Sequence, residues 1–330
     1  MNQLEYIGRQ LMIVAGITMI IFGLIGNILN ICVFFNWSRS RVTTNNQLRK
    51  IQTSNSPLYL FTSSIANIMV ITYSLTTRIL FDGYQYPVTQ SNMVYLCKLR
   101  YYVLHTFDTI SWTCLCMAMF DRYLVSSREV RLRQLSKTRQ QTKIIILFIV
   151  CLIGLHSIPL AIYYDVSKSN QCIIYSTNYL YYYRYTFQIF LHGIVPIIMF
   201  TLFGFLTYKQ LKMIRNRQNT NKNMNVDKQL SRMFLLMSAT VVLSAIPYTV
   251  ETIYYLIFAN SSQQQTSYVL FFHIISSILF YTNAVCSFYV YYISTPNFRI
   301  QVHKIIFCQK DLNRFMNNQV NTMTTAQQMY

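Results

Sequence analysis

An aspartate, an arginine and a tyrosine, Asp121–Arg122–Tyr123, close a long apolar run in the stretch "MFDRYLV". Charges at such a place are costly near a bilayer and are functional by default. The chemistry open to them is electrostatic: a guanidinium can bond its neighbouring carboxylate in one state and a different partner in another. Cys97 and Cys172 form a second candidate pair, for disulfide chemistry in an oxidising compartment. Asp108, Asp165 and Glu251 lie in or beside tyrosine-rich apolar stretches. Carboxylates among aromatic faces suit a cationic ligand. His105, His156, His192 and His273 are scattered, and no HExxH, Ser–His or paired-aspartate arrangement accompanies them. Hydrolytic or metal chemistry therefore has no residues to carry it, and no enzyme activity, metal or cofactor is expected.

The elements that must position these residues follow from composition. The chain has 330 residues, 53% hydrophobic and only 11% charged, against about a quarter charged in a soluble domain. Its net charge is +19. The positive residues fall between apolar runs rather than along a soluble basic surface, which excludes a nucleic-acid binder. Runs near 11–35, 58–81, 95–123, 144–164, 187–209, 233–258 and 267–293 each reach the length that spans a lipid bilayer. The first has no small-residue cleavage site and outruns a signal peptide, so it reads as a retained helix.

Loops 36–57, 122–143 and 209–232 and the tail from 299 carry 22 of the 28 Lys and Arg residues. That asymmetry predicts an extracellular N-terminus, a cytoplasmic C-terminus, and Asp121–Arg122–Tyr123 at the cytoplasmic end of the third helix. The expected organisation is a short extracellular N-terminus over 1–10 and a seven-span domain over 11–298. An amphipathic helix over 299–310 and a disordered cytoplasmic tail over 311–330 follow. No internal repeat is visible, which weighs against a transporter.

Cys32, Cys114, Cys116, Cys151 and Cys286 fall inside spans and read as small apolar packing residues. Cys97 starts the third helix and Cys172 lies in the loop between the fourth and fifth, both on the outer side. A bond between them would pin that loop over the mouth of the bundle. Cys308, in "IIFCQK", is a candidate for palmitoylation or an unmodified thiol.

Cys97 and Arg122 stand 25 residues apart, roughly 37 Å of helix and enough to cross the hydrocarbon with tilt. Seven spans with this cysteine, this spacing and Asp-Arg-Tyr resemble the rhodopsin-like G-protein-coupled receptors, over residues 10 to 308. Gly26–Asn27 in "GLIGNILN" matches the family's pair in the first helix. Pro196 and Pro247 match its kink prolines. Tyr291, with Phe298–Arg299 after it, matches its tyrosine followed by a short amphipathic helix. The resemblance implies an all-α seven-helix membrane bundle with that short cytoplasmic helix, and a Cys97–Cys172 disulfide. It implies a plasma-membrane location, an extracellular ligand, a heterotrimeric G protein, and arrestin as a further partner. It also implies that Arg122 bonds Asp121 at rest, with Asp227 as the second acid that holds the sixth helix close. Asn27, Asn67, Ser111 and Asn283 match positions of the family's water-linked polar network.

The departures are specific. Asn67 in "SSIAN" replaces the family's second-helix aspartate, which removes the charge of its sodium site. Ala245 in "SAIPY" replaces the rotamer-switch tryptophan, and the fourth helix lacks its usual tryptophan. Gly204 replaces the fifth-helix tyrosine, with Tyr208 one turn below. Ser287–Phe288 replaces Asn-Pro, similar to a variant among invertebrate peptide receptors such as the FMRFamide-like ones.

There is no Lys or Arg from 233 to 298, so a retinal Schiff base has no lysine in the seventh helix. Leu104 stands where aminergic receptors carry their amine-binding aspartate. These points leave a peptide or a small chemosensory ligand. The expected binding residues are Asp108, eleven residues into the third helix from Cys97 and about 16 Å down it, with Leu104, His105, Tyr248, Glu251 and Asp165. A short cationic, amidated neuropeptide fits those acids. The alternatives are a small-molecule chemosensory receptor, a receptor-like protein that does not signal, and, furthest from the pattern, a channel or transporter.

Overall fold

The computed structural model describes residues 3–40, 55–85, 93–127, 129–166, 172–215, 222–258 and 267–307. Seven helical stretches among them are long and apolar enough to cross a membrane. The first span is Gln3–Ser40. It starts well before residue 11, because a Glu5–Arg9 ion pair one turn apart joins its opening turns to the helix. Most of the N-terminal segment expected over 1–10 is therefore helical. The second span opens as Ser56–Met69 and continues through a π-helical stretch at Val70–Leu75, an α turn at Thr76–Arg78 and a second π stretch at Ile79–Gly83. The third is Met93–Ser126, followed by one short helix at Val130–Gln134.

The fourth span, Arg139–Tyr163, begins with a reciprocal cap in which Thr138 and Gln141 satisfy each other's backbone N–H groups. Strand β1 (Tyr164–Val166) pairs antiparallel with β2 (Cys172–Ile174), Tyr164 opposite Ile174 and Val166 opposite Cys172. The fifth span runs as Thr177–Tyr182, a π stretch at Tyr183–Ile194, and Val195–Arg215. Its start lies before the expected residue 187, where the Ser176 hydroxyl accepts from the Tyr179 N–H and caps the helix. The sixth span is Lys222–Phe258, with Pro247 inside it, and the seventh is Ser267–Ser294. A last helix, Pro296–Ile306, buries Phe298 and Val302. It starts and ends a few residues before the expected 299–310. Cys308 and the 311–330 tail lie outside the described residues.

The third span is the most enclosed and the fourth the least. Leu147, Phe148, Leu155 and Ile162 of the fourth point outward, as lipid contact requires. The first span approaches its neighbours through glycines. A Cβ added at Gly16 or Gly23 would meet Ile79 or Ile71 of the second span at 2.6 and 2.7 Å. Small residues at such crossings let membrane helices pack closely. One apolar cluster, with Phe34, Met119, Phe234 and Tyr291, fills the end of the bundle near Asp121. A second, with Ile71, Leu104 and Tyr281, fills the middle. A third, with Leu160, Tyr164, Tyr183 and Phe187, lies under the β-hairpin.

Candidate functional site

Cys97, at the start of the third span, is disulfide-bonded to Cys172 on β2, across 75 residues of chain. The hairpin is thereby tied to the bundle. Tyr101 of the third span stacks on Tyr164 of β1 with ring centres 3.8 Å apart. Burial at this contact pushes the Tyr164 phenol well above its ordinary pKa.

Beneath the hairpin lies a cavity of about 850 Å³. Tyr101, Leu104, Tyr183 and Tyr248 supply part of its wall, and Ile173 and Ile174 of β2 another part. Its charged residues are Arg9, Arg78, Arg100 and Arg184 against Asp82 and Glu251. The wide turns of the second and fifth spans carry two of them, Asp82 from the second π stretch and Arg184 from the third, with the neutral Gln188 beside it on the third.

The charges of this wall are wired across four spans. Asp82 accepts from Arg78 Nε at 2.8 Å, one turn away on the same span, and lies 3.7 Å from Arg100 Nη2. Arg78 Nη2 also donates to Ser277 Oγ at 2.6 Å and to His273 Nε2 at 2.5 Å, both on the seventh span. An arginine has no acceptor, so His273 Nε2 must be the bare nitrogen. The proton then sits on Nδ1, which donates to Glu251 of the sixth span; Glu251 also accepts from Ser276. Neutral His273 thus bridges an arginine and a carboxylate.

A second chain of polar groups runs inward from the cavity. The Tyr183 hydroxyl reaches His105 Nε2 at 2.8 Å, His105 Nδ1 reaches His192 Nε2 at 3.0 Å, and His192 Nδ1 reaches Asp108 Oδ2 at 3.0 Å. Every bond is satisfied if each histidine is neutral and carries its proton on Nδ1. Asp108 is therefore committed to His192 and does not line the cavity. Asp165 lies on β1, its carboxylate accepting from the Val166 N–H, and does not line it either. Of the binding residues expected from sequence, Leu104, Tyr248 and Glu251 line the cavity, and His105 lies behind it as the partner of Tyr183. The arginines were missed as cavity residues. The legible signal was Arg78 and Asp82 spaced i,i+4 at the end of an apolar run.

In the middle of the bundle Asn67 links three spans. Its amide donates to Asn27 Oδ1 at 3.3 Å, and its oxygen accepts from Ser111 Oγ at 2.5 Å. Asn27 donates to the Ala284 carbonyl at 2.9 Å, and Asn30 to Ser287 at 3.2 Å. Asn283 makes no side-chain hydrogen bond among the described residues; the seventh span joins the network through Ala284 and Ser287.

At the far end, Asp121 Oδ2 accepts from the backbone N–H of Asn55 at 2.7 Å and of Ser56 at 3.1 Å, the first groups of the second span. Its other oxygen accepts from Ser136 at 3.3 Å. Asp121 and Arg122 are both buried, and Tyr123 is half-buried beside them. Tyr291 is buried and Tyr208 exposed. Pro196 is the second residue of the α-helical stretch that follows the π stretch of the fifth span. Asp227 lies on the sixth helix by its backbone, but its side chain lies outside the described residues. Among the described residues no group of three His, Cys, Asp or Glu side chains is placed to hold a metal.

This is a membrane bundle of seven helices with a disulfide-tied cavity at one end and a buried Asp-Arg pair at the other. The profile of the family described as 7 transmembrane receptor (rhodopsin family) matches residues 14–291. The chain belongs to that family. It is a multi-pass membrane receptor of the G-protein-coupled class, a class that works between an extracellular ligand and a G protein. No curated protein matches the chain.

Proposed function

We propose that this receptor lies in the plasma membrane with its β-hairpin outside and its C-terminus in the cytoplasm. The 850 Å³ cavity under the tied hairpin carries the reading, since it has the volume of a small-ligand site and mixes aromatic walls with a few fixed polar groups. A short neuropeptide whose end enters that cavity is the ligand. Asp121 and Arg122, with Tyr123, form the face that meets the heterotrimeric G protein, and arrestin binds the same end. The charge of the cavity changes the expected peptide. Its four arginines outnumber its two acids, so a cationic, amidated end is disfavoured.

The test is a G-protein dissociation assay in cells that display the receptor, run against a library of short peptides made in both amidated and free-acid forms. Saturable activation by a peptide, lost in Arg122→Ala at equal surface expression, supports the reading. Activation by non-peptide small molecules alone would favour the chemosensory alternative, which the modest cavity volume also accommodates.

A further inference from the structure

Arg100 is 5% exposed, yet its side chain makes no hydrogen bond among the described residues, and its Nε has no partner. Its nearest countercharge, Asp82, is 3.7 Å away and already holds Arg78 at 2.8 Å. A buried guanidinium left in that state is expensive. It is nevertheless held in place: its central carbon lies 5.3 Å from the Phe81 ring centre and 5.5 Å from that of Tyr101. Cation–π contacts of this length fix the plane of a guanidinium without using its donors. All three residues line the cavity.

The surroundings add to the imbalance. Arg184 lines the same cavity, and its side chain makes no ion pair or hydrogen bond among the described residues. Arg9 is balanced by Glu5, Arg78 by Asp82, and Glu251 is engaged by His273 and Ser276. The wall therefore offers a preoriented arginine fork in a net positive cavity.

We propose that Arg100, stacked on Phe81 and Tyr101 and assisted by the charge of Arg184, is a carboxylate-binding subsite of this cavity. The carboxylate would be the free C-terminus of a short peptide. A planar carboxylate matches the fork with two parallel N–H···O bonds. The proposal rests on the cavity being the ligand site but names a ligand chemistry that the sequence-based expectation of a cationic peptide does not.

The experiment uses the purified full chain in nanodiscs and pools of aromatic-containing tetrapeptides, each pool made as the free acid and as the amide. Thermal stabilisation reports binding, and G-protein dissociation in cells reports signalling. The acid pool should stabilise the protein at about tenfold lower concentration than the amide pool. That preference should vanish in Arg100→Gln, shrink in Arg100→Lys, which keeps charge but loses the fork, and weaken in Arg184→Gln. If Arg100→Gln does not fold, the acid–amide comparison on the unaltered chain and the Arg184→Gln variant still decide. Equal action of acid and amide pools, no stabilisation by either, or an acid preference that persists in Arg100→Gln overturns the subsite. An equal shift from inorganic phosphate alone overturns the choice of carboxylate. Acid-selective binding without signalling would leave the subsite standing and sink the proposed function; signalling by amides with no acid preference would do the reverse.

Discussion

Phe288 presses on Gly26: a Cβ placed at Gly26 would lie 2.8 Å from the Phe288 Cβ and 3.3 Å from its Cγ. The seventh span meets the first at this crossing, and the aromatic ring occupies the place where the family carries proline.

Gly26→Ala is expected to destabilise the protein by about 1–3 kcal/mol, the usual cost of overpacking a tight contact. Gly154→Ala is the control, because the nearest atom to its Cβ is the Tyr102 hydroxyl at 3.8 Å. Thermal unfolding of both purified variants checks the contrast. Equal melting temperatures would contradict it.

Loss of the disulfide should cost about 2–5 kcal/mol and release the hairpin from the cavity. Cys97→Ser and Cys172→Ser are each expected to reduce surface expression or abolish ligand response. The double variant should be no worse than either single one, since both remove the same bond. Flow cytometry against an N-terminal tag measures this.

Asn67 brings an amide, not a carboxylate, to the central network, and its donors and acceptors are engaged by Asn27 and Ser111. Melting temperature should therefore be the same in sodium and in potassium chloride at equal ionic strength. Asn67→Asp should introduce a sodium-specific stabilisation. A sodium effect on the unaltered chain would refute the reading.

Glu251 lines the cavity and Asp108 does not. Once an activating ligand is in hand, Glu251→Gln should change its potency by about tenfold or more, while Asp108→Asn should leave potency nearly unchanged. Asp108→Ala, which leaves the His192 Nδ1–H without its acceptor, should instead lower thermal stability by about 1–3 kcal/mol. Dose–response curves and unfolding curves separate the two roles.

Asp121 satisfies the first N–H groups of the second span, a position favoured for a carboxylate by both capping and the helix dipole. Asp121→Ala is expected to lower stability by about 1–2 kcal/mol and Asp121→Asn by less, since an amide oxygen can still accept. The melting temperatures of the two variants give the order.

The spans were legible because hydropathy and length report on lipid contact directly. The ends of the spans were less so. An apolar-run criterion stops at Glu5 and Arg9, although their pairing carries the first helix on toward Gln3. It stops again among the tyrosines before residue 187, where the fifth span already runs from Thr177. The π stretches leave no periodicity to read in so short a segment. Asp108 was found by its depth, but its partner His192 is 84 residues away, and no local pattern announces that bond. In the sequence, Arg78, Arg100 and Arg184 read only as charges outside the basic loops. Whether such an arginine faces headgroups or a cavity depends on helix rotation, which only the packed bundle defines.

The Arg78–Asp82 pair sits within a single helix, and this matters while the chain is being made. Arginine or aspartate alone opposes entry into the bilayer, by about 2.5–3.5 kcal/mol at a helix centre and by less near a helix end, where this pair lies. His273 and Ser277, the other partners of Arg78, lie nearly two hundred residues further along, with separations of 195 and 199. They do not exist when the second span leaves the ribosome. Asp82, one turn from Arg78, is synthesised almost at once and can neutralise it inside the same segment. The second span therefore brings its own counterion into the membrane, and the seventh span, arriving last, takes up an arginine that has been kept paired and in place for it.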